Sequence, residues 1–220
     1  ALTGDPHAFD PDRAAGRLLE RALVDLLPEV AFDAAGIESP AMRREVVLAA
    51  VGLARDDLSS TVLVAHLRAA ILADGRPDPL VAGAREAGVP VAYPLRVVRR
   101  WTAVAATAPV FIVENPSVFG SLAQSFPAPD APTLVCTAGQ PSLAAYALLD
   151  RLGEAGVEML YGGDFDLPGI LIARALKMRY GQRLRLWRMD AGNYEQALVR
   201  ATGAVPLTPG ERRQLAALVS

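Results

Sequence analysis

At 220 residues and 52% hydrophobic content, the chain can bury a sizeable core in one domain or two small ones. A formal net charge of −2 excludes no class of partner, because local patches outweigh the total. No apolar run reaches the roughly 18 residues of a membrane span, and Ala1-Leu2-Thr3-Gly4-Asp5 lacks the charged and apolar regions of a signal peptide, so no membrane partner is expected.

Cys136 is the only cysteine, which rules out an internal disulfide or a cysteine-based zinc site and fits a reducing cytoplasm. Without Met at position 1 or a clear terminal cap, the chain reads as a piece of a longer protein. In chain order, Ala14, Leu18, Ala22 and Leu26 recur at helical spacing between Asp10 and Leu27, and Pro28 stops that helix. Ser39-Pro40 opens a second helix running to about Leu53. Thr61-Val62-Leu63-Val64 is β-branched and apolar and reads as a strand. A short helix over Pro79 to Ala87 is closed by Gly88, and a strand over Val89 to Val98 follows, part of it demoted to an edge by Pro94. His7 and His66 are isolated and read as surface or core residues rather than ligands. The small residues between Trp101 and Ala108 read as a connection, dividing a mixed helical and stranded region (1–105) from a second domain (106–220).

From Pro109 the pattern turns to strand–helix alternation. Val110-Phe111-Ile112-Val113 is a continuous apolar run, as expected of a parallel strand buried on both faces. It ends on Glu114, and Asn115-Pro116-Ser117 start a helix. Thr133 to Cys136 is the next strand, with Cys136 a packed small hydrophobe, and Gly139-Gln140-Pro141-Ser142 lead into a helix that stops at Gly156. Val157 to Tyr161 is a third strand, Gly162-Gly163-Asp164-Phe165-Asp166-Leu167-Pro168-Gly169 a loop, Ile170 to Tyr180 a helix, and Arg183 to Met189 a fourth strand. The series predicts an α/β fold built on a doubly wound parallel sheet.

In such a sheet ligands bind beyond the carboxyl ends of the strands. The loop after the third strand can aim Asp164 and Asp166 at one small volume, and Glu114 ends the first strand at the same edge. If those two strands are neighbours, three carboxylates converge. Like charges so close repel, and a divalent cation is the usual way to keep them ionised; all-oxygen ligation suits Mg²⁺ or Mn²⁺. Such a set can bind a phosphodiester, activate water and stabilise the leaving oxygen. The blander alternative is a Gly/Asp/Pro turn that caps a helix.

Beyond the loop, Arg174, Lys177, Arg179, Arg183, Arg185 and Arg188 follow with no Asp or Glu between Leu167 and Met189. The cluster could track phosphates, or form a solvated basic face. Asp190 reads as a helix cap, and Glu195 as a surface carboxylate.

Glu114 after one strand and Asp164-Phe165-Asp166 after another resemble the Toprim fold of topoisomerases, primases and some nucleases. The Toprim domain of the type VI topoisomerase A subunit has a Glu strand end, a Gly-x-Pro turn and an Asp-Gly-Asp-Pro-x-Gly-Ile loop. Gly139-Gln140-Pro141 and Asp164 to Ile170 are similar in order, with the Pro displaced by one residue. Val113-Glu114-Asn115-Pro116, Cys136-Thr137-Ala138-Gly139-Gln140-Pro141-Ser142 and Gly163 to Gly169 together resemble the DUF2399 domain, which ends the nuclease subunit (JetD) of type II Wadjet plasmid-defence systems. Asp56-Asp57-Leu58-Ser59-Ser60-Thr61-Val62-Leu63-Val64 resembles the upstream DUF3323 region of the same proteins. The likeness is strong from 109 to 200 and looser before.

This resemblance implies that Glu114, Asp164 and Asp166 are catalytic and bind Mg²⁺ or Mn²⁺. It also implies that double-stranded, circular DNA is the substrate and that SMC-type subunits deliver it; it admits a homodimer. None of Tyr93, Tyr146, Tyr161, Tyr180 and Tyr194 sits in a recognisable nucleophile motif, so hydrolysis by water is expected rather than strand passage. Two alternatives stand beside this: a non-catalytic Toprim module for docking or DNA binding, and a small-molecule phosphotransfer enzyme using the Asp-x-Asp loop. The spacing after Gly162 does not fit a dinucleotide fingerprint.

Overall fold

The first helical pattern folds as α1 (Ala14–Leu26). The computed structural model describes residues 9–10, 13–26, 43–44, 46–48, 57–126, 131–200, 208–210 and 212–213. The chain divides into two compact units, Ala1–Asp56 and Asp57–Ser220. In the first unit the buried Arg44 guanidinium ties α1 to the chain before it, donating to the carbonyls of Phe9 (2.6 Å) and Gly16 (3.3 Å) and to Glu20 (3.0 Å). Val47 packs on Leu23 and Val24. His7, and most of the helix expected from Ser39, lie outside the described residues.

The second unit runs β1 (Thr61–Ala65), β2 (Ala69–Leu72), α2 (Pro79–Ala87), β3 (Val91–Pro94), α3 (Leu95–Val98), β4 (Trp101–Ala105), β5 (Val110–Val113), α4 (Pro116–Ser125), β6 (Leu134–Cys136), α5 (Leu143–Glu154), β7 (Met159–Gly162), α6 (Leu167–Tyr180), β8 (Leu184–Leu186) and α7 (Ala191–Arg200). Side-chain caps set several helix starts: Asp78, Asn115, Ser142 and Asp166 each accept a backbone N–H from the first turn that follows. Gly88, left-handed at φ 64°, closes α2.

Six strands form one sheet in the order β3-β1-β6-β5-β7-β8. The pairs β5–β6, β5–β7 and β7–β8 are parallel; β1 is antiparallel to both β3 and β6. The molecule is thus an α/β protein with a mostly parallel sheet flanked by helices. Its centre is dry: Val110, Ile112, Leu134, Val135, Met159 and Tyr161 are buried, as are Leu148, Leu149 and Leu152 of α5 and Ile170 and Leu176 of α6. From β5 the chain steps to β6 on one side, then returns across β5 to β7 and on to β8. The direction of winding reverses between β5 and β7, and that is where open α/β sheets hold ligands.

Four stretches differ from the sequence expectation. Two strands from before residue 105, β1 and β3, extend the later parallel sheet, and they do so antiparallel. The strand expected over Val89 to Val98 stops at Pro94, which has no N–H to donate onward; the chain then coils into α3. The small-residue stretch after Trp101 is strand β4, paired with β2 in a second, two-stranded sheet. Backbone pairing holds β4, and at its start the fully buried Trp101 donates its indole N–H to Asp78 at 2.8 Å. The fourth parallel strand is short, because Arg188 turns left-handed at φ 56°.

Candidate functional site

Strand pairing brings the acidic residues to one edge. Val113 of β5 lies opposite Gly162 of β7, so Glu114 and the loop after Gly162 leave the sheet side by side. The Glu114 N–H donates to the Gly162 carbonyl at 3.2 Å, and its own carbonyl accepts from the Gly139 N–H (3.2 Å) and the Cys136 thiol (3.5 Å). The Glu114 backbone is therefore held from both neighbouring strands.

Its side chain is buried, and both of its hydrogen bonds fall on one oxygen. Oε2 accepts from the Asp164 N–H at 3.1 Å and from the Tyr161 hydroxyl at 3.3 Å, and among the described residues Oε1 has no bond of this kind. Gly163 makes the approach possible: a Cβ there would stand 2.7 Å from the Tyr161 hydroxyl and 2.9 Å from Glu114 Oε2. Gly169 is equally required, since a Cβ would meet the Asp164 carbonyl at 2.3 Å. The loop's Phe165 stacks edge-on against Tyr194 of α7 at 5.4 Å.

Asp164 and Asp166 are both exposed. Asp166 caps α6, its Oδ1 accepting the Gly169 N–H at 2.8 Å; the bland capping role and the edge position belong to the same residue. Asp164 accepts no hydrogen bond through its carboxylate among the described residues. Burial pushes the Glu114 carboxyl above its usual range, and the charges of Asp164 and Asp166 add to that; the Asp164 N–H and the Tyr161 hydroxyl pull the other way.

The three carboxylates do not close into a cage. Among the described residues, no group of three or more His, Cys, Asp or Glu side chains stands close enough together to hold a metal ion. The expected pairing of the two strands is met; Glu114 meets Asp164 through the Asp164 backbone N–H, and the three carboxylates do not gather around one point. The donor chemistry does fit a hard cation: the oxygens are all carboxylate, and Glu114 Oε1 and the Asp164 carboxylate accept no hydrogen bond among the described residues.

The basic residues are dispersed by the parallel topology. Helix α6 starts at the acidic edge and returns to the opposite edge, where Leu184 opens β8 opposite Met159. Lys177 donates to the Leu184 carbonyl at 2.8 Å, and Arg179 forms a forked pair with Asp150 (2.8 and 2.9 Å). Arg185 bonds Glu158 at 3.1 Å, just before β7 begins. Arg174 is exposed midway along α6, and Arg183 is exposed in the 3₁₀ turn before β8. Arg188 alone of the six follows the carboxyl end of a strand. It borders a cavity of about 130 Å³ that Asp164, Asn115, Gly163 and Trp187 also line.

The remaining singled-out residues stand apart. His66 follows β1 at the opposite edge, beside the start of β6, with its Nε2 buried and without a hydrogen bond among the described residues. Cys136 is buried within β6. Glu195 is exposed on α7, which Asp190 caps through the Asn193 N–H at 2.9 Å. Sequence reasoning placed Gly163 in the acidic loop but missed Tyr161 and Trp187 as parts of the site. The signal available was a hydroxyl-bearing residue at the end of a buried strand.

The family described as "Protein of unknown function C-terminus (DUF2399)" matches residues 91–218. The one described as "Protein of unknown function N-terminus (DUF3323)" matches residues 1–69. No curated protein matches the chain. No described helix is long and apolar enough to cross a membrane.

Proposed function

The chain belongs to the DUF2399 family, and from that membership and the acidic edge of its sheet we propose that it is a Toprim-type DNA endonuclease dependent on Mg²⁺ or Mn²⁺. In this reading it is the JetD-like subunit of a Wadjet-type plasmid-defence complex, cutting circular double-stranded DNA brought to it by SMC-type partners. The observation that carries the reading is the contact of Glu114 with Asp164 across β5 and β7, where the winding of the sheet reverses. The neighbouring match to DUF3323 supports it, since that region precedes DUF2399 in the proteins it resembles.

Glu114, Asp164 and Asp166 would hold the cation. The bound ion supplies charge neutralisation at the phosphodiester and a more acidic water. The chain's own residues prepare the place for it. Tyr161 and the Asp164 N–H engage one oxygen of Glu114, so the other is presented in a set orientation. Helix α6 starts from the same loop, so the positive end of its dipole is at this edge and favours an anionic substrate.

Attack by water is favoured over attack by tyrosine. Tyr93, Tyr146, Tyr161 and Tyr194 are buried, and Tyr180 bonds Asp150. Tyr161 is the one beside Glu114, and burial holds its hydroxyl far above the usual phenol range, which makes it a poor nucleophile.

One observation favours a second reading. The open arrangement of the three carboxylates suits a non-catalytic module that docks or binds DNA within the complex. The deciding comparison is wild type against Asp166→Ala in the assembled complex with Mg²⁺ or Mn²⁺ and circular DNA. The nuclease reading expects the variant to lose most cleavage, with its circular dichroism retained. Equal cutting by the two would leave the docking module in its place.

A further inference from the structure

The cavity beside the acidic loop is lined by groups that the carboxylates do not explain. Arg188 borders it with an exposed side chain that forms no salt bridge among the described residues, unlike Arg179 and Arg185. Its guanidinium lies 5.2 Å from the centre of the Trp187 ring, and Trp187 is itself fixed edge-on against Phe111 at 5.2 Å. The Trp187 N–H donates to the Tyr161 carbonyl at 2.7 Å, so the turn that carries Arg188 is anchored to the end of β7. A non-glycine residue in the left-handed region is uncommon, and Arg188, so placed, lines the same cavity as Asp164.

Asn115 adds a second donor. Its Oδ1 is taken by the Ser117 N–H at 2.8 Å, so the polar group left over is the side-chain NH₂. A guanidinium already stacked on an aromatic ring, beside an amide donor, is matched to the oxygens of a phosphate, and little orientational freedom remains to be lost on binding. The nearby carboxylates would repel any anion that this pair did not hold.

We propose that this cavity is a phosphate subsite, in which Arg188 and the Asn115 amide hold a backbone phosphate of the DNA strand beside the one being cut. The assignment rests on reading the acidic edge as a phosphodiester-cleaving site. It separates Arg188 from the other basic residues, which lie along or behind α6 and contribute only general positive charge.

The test is binding of a short double-stranded oligonucleotide to the full chain in EDTA, by fluorescence anisotropy across a NaCl series. Arg188→Asn removes the charge with a residue that tolerates the left-handed backbone; Arg188→Lys keeps the charge, and Arg85→Gln on α2 is the charge-matched control. Arg188→Asn should weaken binding about tenfold and lower the salt slope by about one ion, Arg188→Lys should recover part of the affinity, and Arg85→Gln should stay near wild type. Arg188→Asn binding the duplex no worse than Arg85→Gln would overturn the subsite, as would a wild-type chain with no affinity for the duplex. Mn²⁺ binding, followed by electron paramagnetic resonance, keeps the two readings apart. Lost duplex affinity in Arg188→Asn, with Asp164→Ala still binding Mn²⁺ like wild type, would uphold the subsite and remove the metal site; the converse pair of results would do the reverse.

Discussion

Glu114 is held by donors that are themselves buried or backbone, and this makes Tyr161 a positioning residue. Phe would fill the same space as Tyr161 and keep the core intact, but one of the two hydrogen bonds on Oε2 would go. Groups that orient a metal ligand typically carry about 10–100-fold in metal affinity. Tyr161→Phe should therefore weaken Mn²⁺ binding within that range while leaving the circular dichroism unchanged. Calorimetric titration with Mn²⁺ checks it, and unaltered affinity would show that the Asp164 N–H suffices. Gly163→Ala should act more harshly, since its Cβ would be forced against both Tyr161 and Glu114. Overpacking of this kind costs about 1–3 kcal/mol, readable in a urea midpoint, and here it should also cost metal affinity.

Among the elements, α2 shows how one residue can join two layers. Asp78 is buried, caps α2 through the Leu80 N–H at 2.8 Å, and accepts the Trp101 indole N–H at 2.8 Å from the start of β4. Removing it loses a helix cap, worth about 1 kcal/mol, and strands a buried indole donor, at about 1–3 kcal/mol. Asp78→Ala should therefore destabilise the protein by about 2–4 kcal/mol in urea. Asp78→Asn should recover the cap. A loss below half a kcal/mol for the Ala variant would mean that water replaces both bonds. Such links explain why β4 was illegible: after Trp101 its side chains are mostly small, and its place is decided by a partner strand and by Asp78, both distant in sequence.

For the whole molecule, metal bound at the carboxylate edge, as proposed, would couple to stability. Ligand at a hundred times its dissociation constant adds about 2.7 kcal/mol to a fold that binds it, or roughly 5–10 °C for a chain of this size. Mn²⁺ should raise the melting temperature of wild type by that order and leave Asp164→Ala close to its metal-free value. Without metal, Glu114→Gln should melt higher than wild type, because it keeps the acceptor oxygen and removes a buried charge that Asp164 and Asp166 oppose. Identical Mn²⁺ shifts in wild type and Asp164→Ala, read by scanning calorimetry, would place metal binding elsewhere.

The local signals were legible from residue order alone. The apolar run of β5 and the Asn115-Pro116 helix start are decided by neighbours within a few positions, through burial, capping and fixed proline φ; α6 begins at Leu167 rather than at the expected Ile170, because Asp166 caps it. Also legible was the placing of Glu114, Asp164 and Asp166 at strand ends. What residue order could not carry is which strands become neighbours. The pairing of β5 with β7, which joins Glu114 to Asp164, and the antiparallel addition of β1 and β3 depend on backbone hydrogen bonds between segments far apart in the chain. The same holds for the basic run: contiguous in sequence, it is split by a helix that returns to the far edge, leaving Arg188 alone beside the carboxylates. Chain direction through a parallel sheet decides which residues share an edge, and that direction exists only once the strands have paired.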